Sequence, residues 1–174
     1  MLGVIKANIF EDDLREKIVK LALLQYHKLY EHGKNGLDTF DCAGLVWFVF
    51  FEVFGINLYD GGIGLSTTTK IMTNNYGKLT LFEENDTNKD LSIIKKGDII
   101  FFHRQAMGDN APRCDNKYPG HCGIYLEDNC FIHCSRPKGK VIISNFDNNR
   151  YWKQVLVASK DICSDNKVLK MMKK

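Results

Sequence analysis

The sequence lacks a secretory leader, a long apolar run and any linker of biased composition. Its longest apolar stretch, residues 45–51, is followed by Glu52 and is far shorter than a membrane-crossing helix. The apolar residues 1–5 end at Lys6, before the apolar core of a signal peptide would be complete. These absences predict a protein that is synthesised in the cytoplasm, with no membrane partner, and that reaches any outside substrate through another system.

Internal repeats and a strong charge of one sign are also absent. The 174 residues carry a formal net charge of +3, and 44% of them are apolar. This composition suits one domain with its own core, which we place at residues 1–160, and it does not indicate a nucleic-acid partner. Part of the positive charge is local, because residues 161–174 contain four lysines. We predict a solvated basic tail there.

The chain has six cysteines, but no two of them are spaced as a C-x₂-C pair. Without a secretory leader, we expect reduced thiols and not disulfides. Three of the cysteines lie in strand-like segments and are expected to be small buried residues, namely Cys122, Cys130 and Cys134. The other two outside the central helix, Cys114 and Cys163, are expected to be exposed.

Helical patterns come first in the chain and strand patterns follow. Residues 11–32 have apolar side chains at helical spacing, and residues 42–54 are apolar on nearly every side, which predicts a buried central helix ending at Gly55. Strands are predicted at residues 99–102, 140–146 and 154–159, with a hairpin at 121–134. This order indicates an α+β fold with an antiparallel sheet.

Cys42 is the residue with the clearest chemical potential. It occupies the first turn of the predicted central helix, where free backbone N–H groups and the positive end of the helix dipole stabilise a thiolate. Asp41 opposes this effect by its charge, although its side chain is also suited to cap the helix. A nucleophilic thiol further needs a base, and the base needs a group that orients it.

Two histidines in the predicted hairpin are candidates for the base and its partner. His121 and His133 point to opposite faces of the sheet if a two-residue turn at Asp128-Asn129 joins the strands directly. They share a face, as diagonal neighbours, if the loop has three residues or one bulge. Asn129 is able to adopt the left-handed conformation that a three-residue loop uses. The sequence leaves both alternatives open.

Four segments of the chain occur in an order that is characteristic of one family. They are Tyr30, FDCAGLV at residues 40–46, IKKGDIIFF at 94–102, and GHCGIYLEDNCFIHC at 120–134 followed by GKVIIS at 139–144. On these segments the sequence resembles the NlpC family of papain-like cell-wall cysteine peptidases. The resemblance spans roughly residues 14–158. It implies a papain-like fold, with N-terminal helices packed on the sheet and the nucleophile at the start of the central helix.

The resemblance also implies a role for individual residues. Cys42 corresponds to the nucleophile, His121 to the general base, and His133 to the third residue, which sets the tautomer of the base. Backbone amides at Cys42 and Ala43 would contribute to the oxyanion hole. Tyr30, Asp41 and Ala43 match positions that line the substrate site, where Asp41 is suited to pair with the free amine of a stem peptide.

The implied reaction is amide hydrolysis through a thioester, and it requires no metal or organic cofactor. The family's usual substrate is the peptidoglycan stem peptide, cut between γ-D-glutamate and the diamino acid. The expected partner is therefore peptidoglycan or its fragments. Because no wall-binding module occurs in the sequence, we expect targeting by a partner or a larger assembly. A phage or mobile-element lysin, an injected effector and a wall-recycling peptidase all fit this description.

Two features depart from the family pattern. The family often has serine after the nucleophile, whereas this chain has Ala43, which cannot make the hydrogen bond to substrate that a serine hydroxyl would make. The connection at residues 103–120 is long and attaches beside the proposed site. It is either a wall or cover of the cleft or a plain surface insertion.

Three other functions could use the same residues or the same fold. A zinc site would use the histidines and cysteines of residues 103–134, but Cys122 and Cys134 should point away from their neighbouring histidines in strands. An acyltransferase or amidase on a non-wall substrate would use the same pair, but the acyltransferase branch places its histidine before its cysteine. A catalytically silent binding module would not need Cys42, His121 and His133 together.

Overall fold

The described part of the chain contains five helices and nine short strands. The structure is a computed structural model that describes residues 2–64, 66–83, 86–103 and 119–172, with side chains from residue 10 onward. The helices are α1 (Leu2–Leu23), α2 (Cys42–Phe54), α3 (Thr67–Thr73), α4 (Arg150–Val155) and α5 (Asn166–Met171). The strands are β1 (Leu29–Tyr30), β2 (Asn35–Gly36), β3 (Thr39–Phe40), β4 (Lys78–Leu81), β5 (Ile99–Phe102), β6 (His121–Tyr125), β7 (Cys130–Ser135), β8 (Lys140–Asn145) and β9 (Leu156–Asp161). None of the described helices has both the length and the apolar character to cross a membrane.

The nine described strands join one sheet in the order β2-β3-β1-β8-β7-β6-β5-β9-β4. Paired strands are antiparallel except for β1 and β3, which run parallel. The prediction of an α+β fold is therefore confirmed, and the sheet is mixed only near β1. Helix α2 packs on β6 and β7, which brings the start of α2 and the hairpin to the same region.

Apolar side chains cover both faces of the sheet. Leu14 of α1 and Val49 of α2 pack on the face that carries Phe101. Because successive strand residues point to opposite faces, Phe102 lies on the other face, in a second cluster with Phe131. The central strands are thus buried on both sides, and the hairpin is held between two apolar layers.

Helix α2 begins and ends where the sequence predicts. The Asp41 side chain accepts a hydrogen bond from the N–H of Gly44 at the start of the helix, and Gly55 ends it with a φ of 68°. A short acidic cap and a left-handed glycine are local signals, which is why both ends were predictable. Most of the helix is buried, as its apolar composition indicated.

Helix α1 differs from its prediction at both ends. The sequence pattern predicted residues 11–32, but the helix spans Leu2–Leu23. It ends early because the chain reverses at His27, which has a φ of 71°, and then joins the sheet. The N–H of His27 donates to the carbonyl of Val141, and Leu29 pairs with Lys140 in β8. These partners lie far along the chain, and the helical spacing contains no sign of them.

Residues 161–172 are not the solvated tail that the lysines suggested. Helix α5 begins after Asp165, whose side chain accepts from the N–H of Lys167, and Val168 is fully buried in the core. Cys163, predicted to be exposed, is buried. Lys167 and Lys170 are exposed on this short helix, and their charge concealed the apolar residues between them.

Candidate active site

Cys42 is the first residue of α2, where Asp41 caps the helix. The two Asp41 carboxylate oxygens accept from the N–H groups of Gly44 and Gly33, at 2.7 and 2.9 Å. The N–H groups of Cys42 and Ala43 belong to the first helical turn, whose N–H groups have no acceptor within the helix. Cys42 is a partly exposed residue at the positive end of the helix.

The turn of the β6–β7 hairpin contains a bulge. Asp128 and Asn129 both have positive φ values, 52° and 58°, as a tight type I′ turn requires. The N–H of Cys130 donates to the carbonyl of Glu127, whereas the carbonyl of Cys130 accepts from the N–H of Leu126. Leu126 and Glu127 therefore both lie opposite Cys130. The sequence is compatible with either pairing of the hairpin, and the structure has the pairing with a bulge.

The bulge brings His121 and His133 to the same face of the sheet. Their rings lie side by side, with Nε2 of His121 2.8 Å from Nδ1 of His133. On its other side, His133 places Nε2 3.0 Å from the hydroxyl oxygen of Ser144 in β8. A continuous chain of hydrogen bonds thus crosses three adjacent strands, and His133, its middle member, is only 1% exposed.

The surroundings of Cys42 favour its thiolate. The pKa of the thiol is held well below its ordinary value, chiefly by a hydrogen bond from the Cys122 thiol, with the charge of His121 and a hydrogen bond from it adding to the effect against the opposing influence of burial. Because Nε2 of His121 is already bonded to His133, its Nδ1 is the nitrogen left for Cys42. Burial raises the pKa of Cys122 well above its ordinary value, so that thiol stays protonated as a donor.

Aromatic side chains enclose the imidazole pair. Trp152 of α4 stands edge-on to His133, with ring centroids 5.1 Å apart, and lies 6.2 Å from His121. Phe131 lies 5.1 Å from His133 on the same side of the sheet. Burial by these rings, together with the charge of His121, lowers the pKa of His133 well below its ordinary value. His133 is consequently neutral near pH 7 and suited to orient its partner.

The residues predicted to bind substrate lie near Cys42, with different degrees of access. Tyr30 pairs with Phe40 and is partly buried; burial and the charge of Cys42 raise its pKa. Burial also raises the pKa of Asp41. Ala43 is 1% exposed and packs in the core, so only its backbone is able to face a ligand. Of the connection at residues 103–120, residues 104–118 lie outside the described part of the chain.

Sequence patterns did not single out three residues beside the site. Thr68 of α3 lies with its hydroxyl oxygen 4.0 Å from the Cys42 sulfur. Tyr59 has its pKa raised by burial and then by the charge of Asp41. Ser144 extends the histidine pair. Only Ser144 had a weak signal in the sequence. Side chains alternate along β8, so Ser144 lies on the same face as Ile142, which pairs with His133.

Gly44 allows a close approach that no larger residue permits. A Cβ atom at this position would lie 2.0 Å from the Lys34 carbonyl oxygen, which already accepts from the N–H of Asp41. We expect Gly44→Ala to lower the free energy of unfolding by about 1–3 kcal/mol, because backbone on both sides must move. Urea denaturation measures this change.

The matched control for Gly44 is Gly36→Ala, whose Cβ would meet only the Phe48 ring at an ordinary 3.7 Å. We expect Gly36→Ala to change stability by less than about 0.5 kcal/mol, as at other positions free of a steric conflict. Equal stability of the Gly44→Ala variant and the original protein would show that the loop before α2 adapts without cost.

A thiol at a helix start, with a pair of imidazoles from neighbouring antiparallel strands beside it, is the arrangement of a papain-like cysteine hydrolase. The chain belongs to the NlpC/P60 family, an NlpC-type family of cell-wall peptidases, because the model of that family matches residues 27–161. The sequence-based assignment to this family is confirmed.

Three relatives illustrate the similarity in sequence. A Haemophilus influenzae protein named a probable endopeptidase is 30% identical over 149 residues, which cover 82% of this chain and 75% of the relative. The Bacillus subtilis γ-DL-glutamyl hydrolase is 28% identical, over 92% of this chain and 33% of the relative. The Escherichia coli murein DD-endopeptidase MepS/murein LD-carboxypeptidase is 26% identical, over 83% of this chain and 64% of the relative.

The fold is shared with solved structures of the family. NlpC2 from Trichomonas vaginalis superposes with a TM-score of 0.60 at 23% identity, covering 86% of this chain and 46% of that one. The chain thus spans about half of that structure and about a third of the Bacillus subtilis hydrolase. The prediction of a papain-like NlpC fold is confirmed.

Proposed function

We propose that the chain hydrolyses an amide bond in peptidoglycan stem peptides, with Cys42 as nucleophile, His121 as general base and His133 as the residue that orients His121. The observation that carries this proposal is the 2.8 Å hydrogen bond between the two imidazoles, which leaves the opposite nitrogen of His121 for a thiol whose pKa is lowered. Such a base, held by a third group, is what an activated nucleophile requires.

In the first half of the reaction, the Cys42 thiolate attacks the carbonyl carbon of the amide. The negative charge that develops on the carbonyl oxygen is stabilised by N–H groups at the start of α2, such as those of Cys42 and Ala43. His121 then gives its Nδ1 proton to the leaving nitrogen, the C–N bond breaks, and an amine departs. A thioester between Cys42 and the acyl group remains.

In the second half, water releases the acyl group. Nδ1 of His121, now unprotonated, accepts a proton from the attacking water, and the resulting oxyanion uses the same N–H groups. Collapse of the tetrahedral intermediate breaks the C–S bond, which frees the acid and restores the thiolate–imidazolium pair. The sum is one amide and one water converted into one acid and one amine.

The names of the relatives support peptidoglycan as the substrate class. One acts on murein as an endopeptidase, and another is named for hydrolysis of a γ-glutamyl bond. We propose the bond between γ-D-glutamate and the diamino acid as the first to test. Tyr30 and Asp41, both near Cys42, are the residues proposed to hold the peptide end of the substrate.

The test is the rate at which each thiol is alkylated by iodoacetamide across pH. Near pH 7 we expect Cys42 to react at least about 10-fold faster than every other thiol, because thiolate is the reactive form. Burial raises the pKa of Cys134 and Cys163 to about 12, which protects both. In the His121→Ala variant, Cys42 should react more slowly near pH 7, because the charge and hydrogen bond of His121 that help to lower its pKa are lost while the hydrogen bond from Cys122 remains.

The control for the histidine is His27→Asn, which changes an exposed imidazole at a left-handed position that asparagine tolerates. It should leave alkylation of Cys42 unchanged. Digestion of purified peptidoglycan, followed by mass spectrometry, then identifies the bond from the new amine and acid. A Cys42 that is inert, or equally reactive without His121, would disprove the mechanism, and intact peptidoglycan beside a reactive Cys42 would disprove the substrate.

A further inference from the structure

We propose that Ser144 is a positioning residue for this reaction: its hydroxyl accepts the Nε2 proton of His133 and thereby fixes the tautomer with which His133 holds His121. The inference rests on the proposed function, since it concerns the same base. It adds a fourth member to the predicted set of Cys42, His121 and His133. It also predicts an effect on imidazole protonation that is measurable without turnover.

The side chains of His121, His133 and Ser144 come from three adjacent strands, β6, β7 and β8. His133 pairs with Ile142, and Phe131 pairs with Ser144, so Ser144 lies diagonally across from His133 on the same face. The separation between His133 Nε2 and the Ser144 oxygen is 3.0 Å, within the range of a hydrogen bond. Both ring nitrogens of His133 are therefore occupied, one by His121 and one by Ser144.

The mechanism fixes which nitrogen of His133 carries the proton. His121 needs Nδ1 free to exchange a proton with Cys42, substrate and water, so its permanent proton must reside on Nε2. That N–H points at Nδ1 of His133 and requires an acceptor there. His133 must then be protonated on Nε2, and this N–H requires an acceptor of its own. Ser144 is the residue in position to supply it.

Burial makes this acceptor important. His133 is 1% exposed and is enclosed by Trp152 and Phe131, which leave water little access to its ring. A buried N–H without an acceptor is unfavourable, so loss of the hydroxyl would favour the alternative tautomer of His133, with its proton on Nδ1. That tautomer donates to His121, which must then carry its own proton on Nδ1. His121 in that form is unable to accept a proton from water.

The experiment compares Ser144→Thr with Ser144→Val. The two replacements have nearly the same shape and both suit a strand, but only threonine retains a hydroxyl. We expect the valine variant to lose about 10- to 100-fold in kcat on a stem peptide with little change in KM, because the base is affected and binding is not. The threonine variant should retain most of the original kcat.

The second measurement is the nitrogen chemical shifts of the histidine rings, obtained by long-range proton–nitrogen correlation on ¹⁵N-histidine-labelled protein. In the original protein and the threonine variant, we expect His133 to be protonated on Nε2. In the valine variant, the signal should move toward the Nδ1-protonated form. A structural defect alone would broaden or shift many signals and would not exchange the two nitrogens of one ring.

The outcomes separate this inference from the proposed function. Identical tautomers and identical kcat in the valine and threonine variants would overturn the role of Ser144, whatever the substrate. An inert Cys42 in the alkylation assay would overturn the proposed function, even where the nitrogen shifts still followed the hydroxyl. Similar losses in both variants would also contradict the proposal, since threonine keeps the acceptor.

Discussion

The Cys42→Ala variant is expected to hydrolyse stem-peptide amides at least about 10⁴-fold more slowly than the original protein, because no thioester forms without the thiol. The remaining N–H groups of α2 and the imidazole pair would still bind and polarise a substrate, which is why a small residual rate is expected and not a complete absence. The measurement is kcat/KM on a defined stem peptide, followed by mass spectrometry.

Cys130→Ala is the matched control for loss of a thiol. Cys130 is also partly exposed, but it lies at the turn end of the hairpin, where its sulfur contacts the side-chain amide of Asn145 at 3.2 Å. This variant should keep its activity. Urea denaturation of both variants checks that neither is unfolded. A Cys42→Ala protein that is folded and retains a tenth of the activity would exclude a covalent route through this residue.

The part of the site carried by α2 was predictable because its signals are local. Asp41 and Gly55 mark the two ends of the helix, and the apolar residues between them indicate burial. Once Asp41 is taken as the cap, Cys42 must lie in the first turn of the helix. Its chemistry was also foreseeable, since a helix start lowers a thiol pKa wherever it occurs.

The relation of the two histidines was not decidable from the sequence. A bulge at Leu126-Glu127 determines whether His121 and His133 share a face, and that bulge depends on two hydrogen bonds around Cys130. Sequence patterns give the length of a hairpin more readily than its pairing. The catalytic interpretation required a three-residue loop or a bulge in the hairpin, and the structure has the bulge.

Long-range packing accounts for the predictions that failed. The early end of α1 depends on pairing with β8, and the burial of Cys163 depends on how the chain after β9 returns to the core. Ser144 could not be predicted as part of the site, because a serine is common in strands and only its contact with His133 distinguishes it. In each case the deciding contact joins segments that are distant in sequence.

Arg15 holds a buried ion network at the end of the sheet opposite the candidate site. Its guanidinium donates to Asp98 at 2.9 Å and to Asp161 at 2.7 Å, and it also reaches Glu11 on its own helix at 2.8 Å. The Arg15 side chain is 6% exposed, and that of Asp98 is 4% exposed. The network connects α1 to the start of β5, three residues before Phe101.

Replacing Arg15 with methionine is expected to lower the free energy of unfolding by about 3–5 kcal/mol, because the buried Asp98 and the partly buried Asp161 lose the cation between them. Urea denaturation at pH 7.5 measures the loss. The control is Lys96→Met, which removes ion pairs with the exposed Glu16 and Glu127 and should cost less than about 1 kcal/mol. Similar losses in the two variants would show that burial does not set the strength of this network.

The stability loss of the Arg15→Met variant should depend on pH. Burial and the charge of Asp161 raise the pKa of Asp98 to about 6, whereas Arg15 lowers the pKa of Asp161 against the effect of burial. Without the guanidinium both pKa values should rise, so the folded variant takes up protons more readily than the unfolded chain as the pH falls. The stability deficit of Arg15→Met should therefore be smaller at pH 5 than at pH 7.5. A deficit that is constant between these pH values would indicate lost packing of the arginine stem as its cause, since packing does not respond to the charge of Asp98 and Asp161.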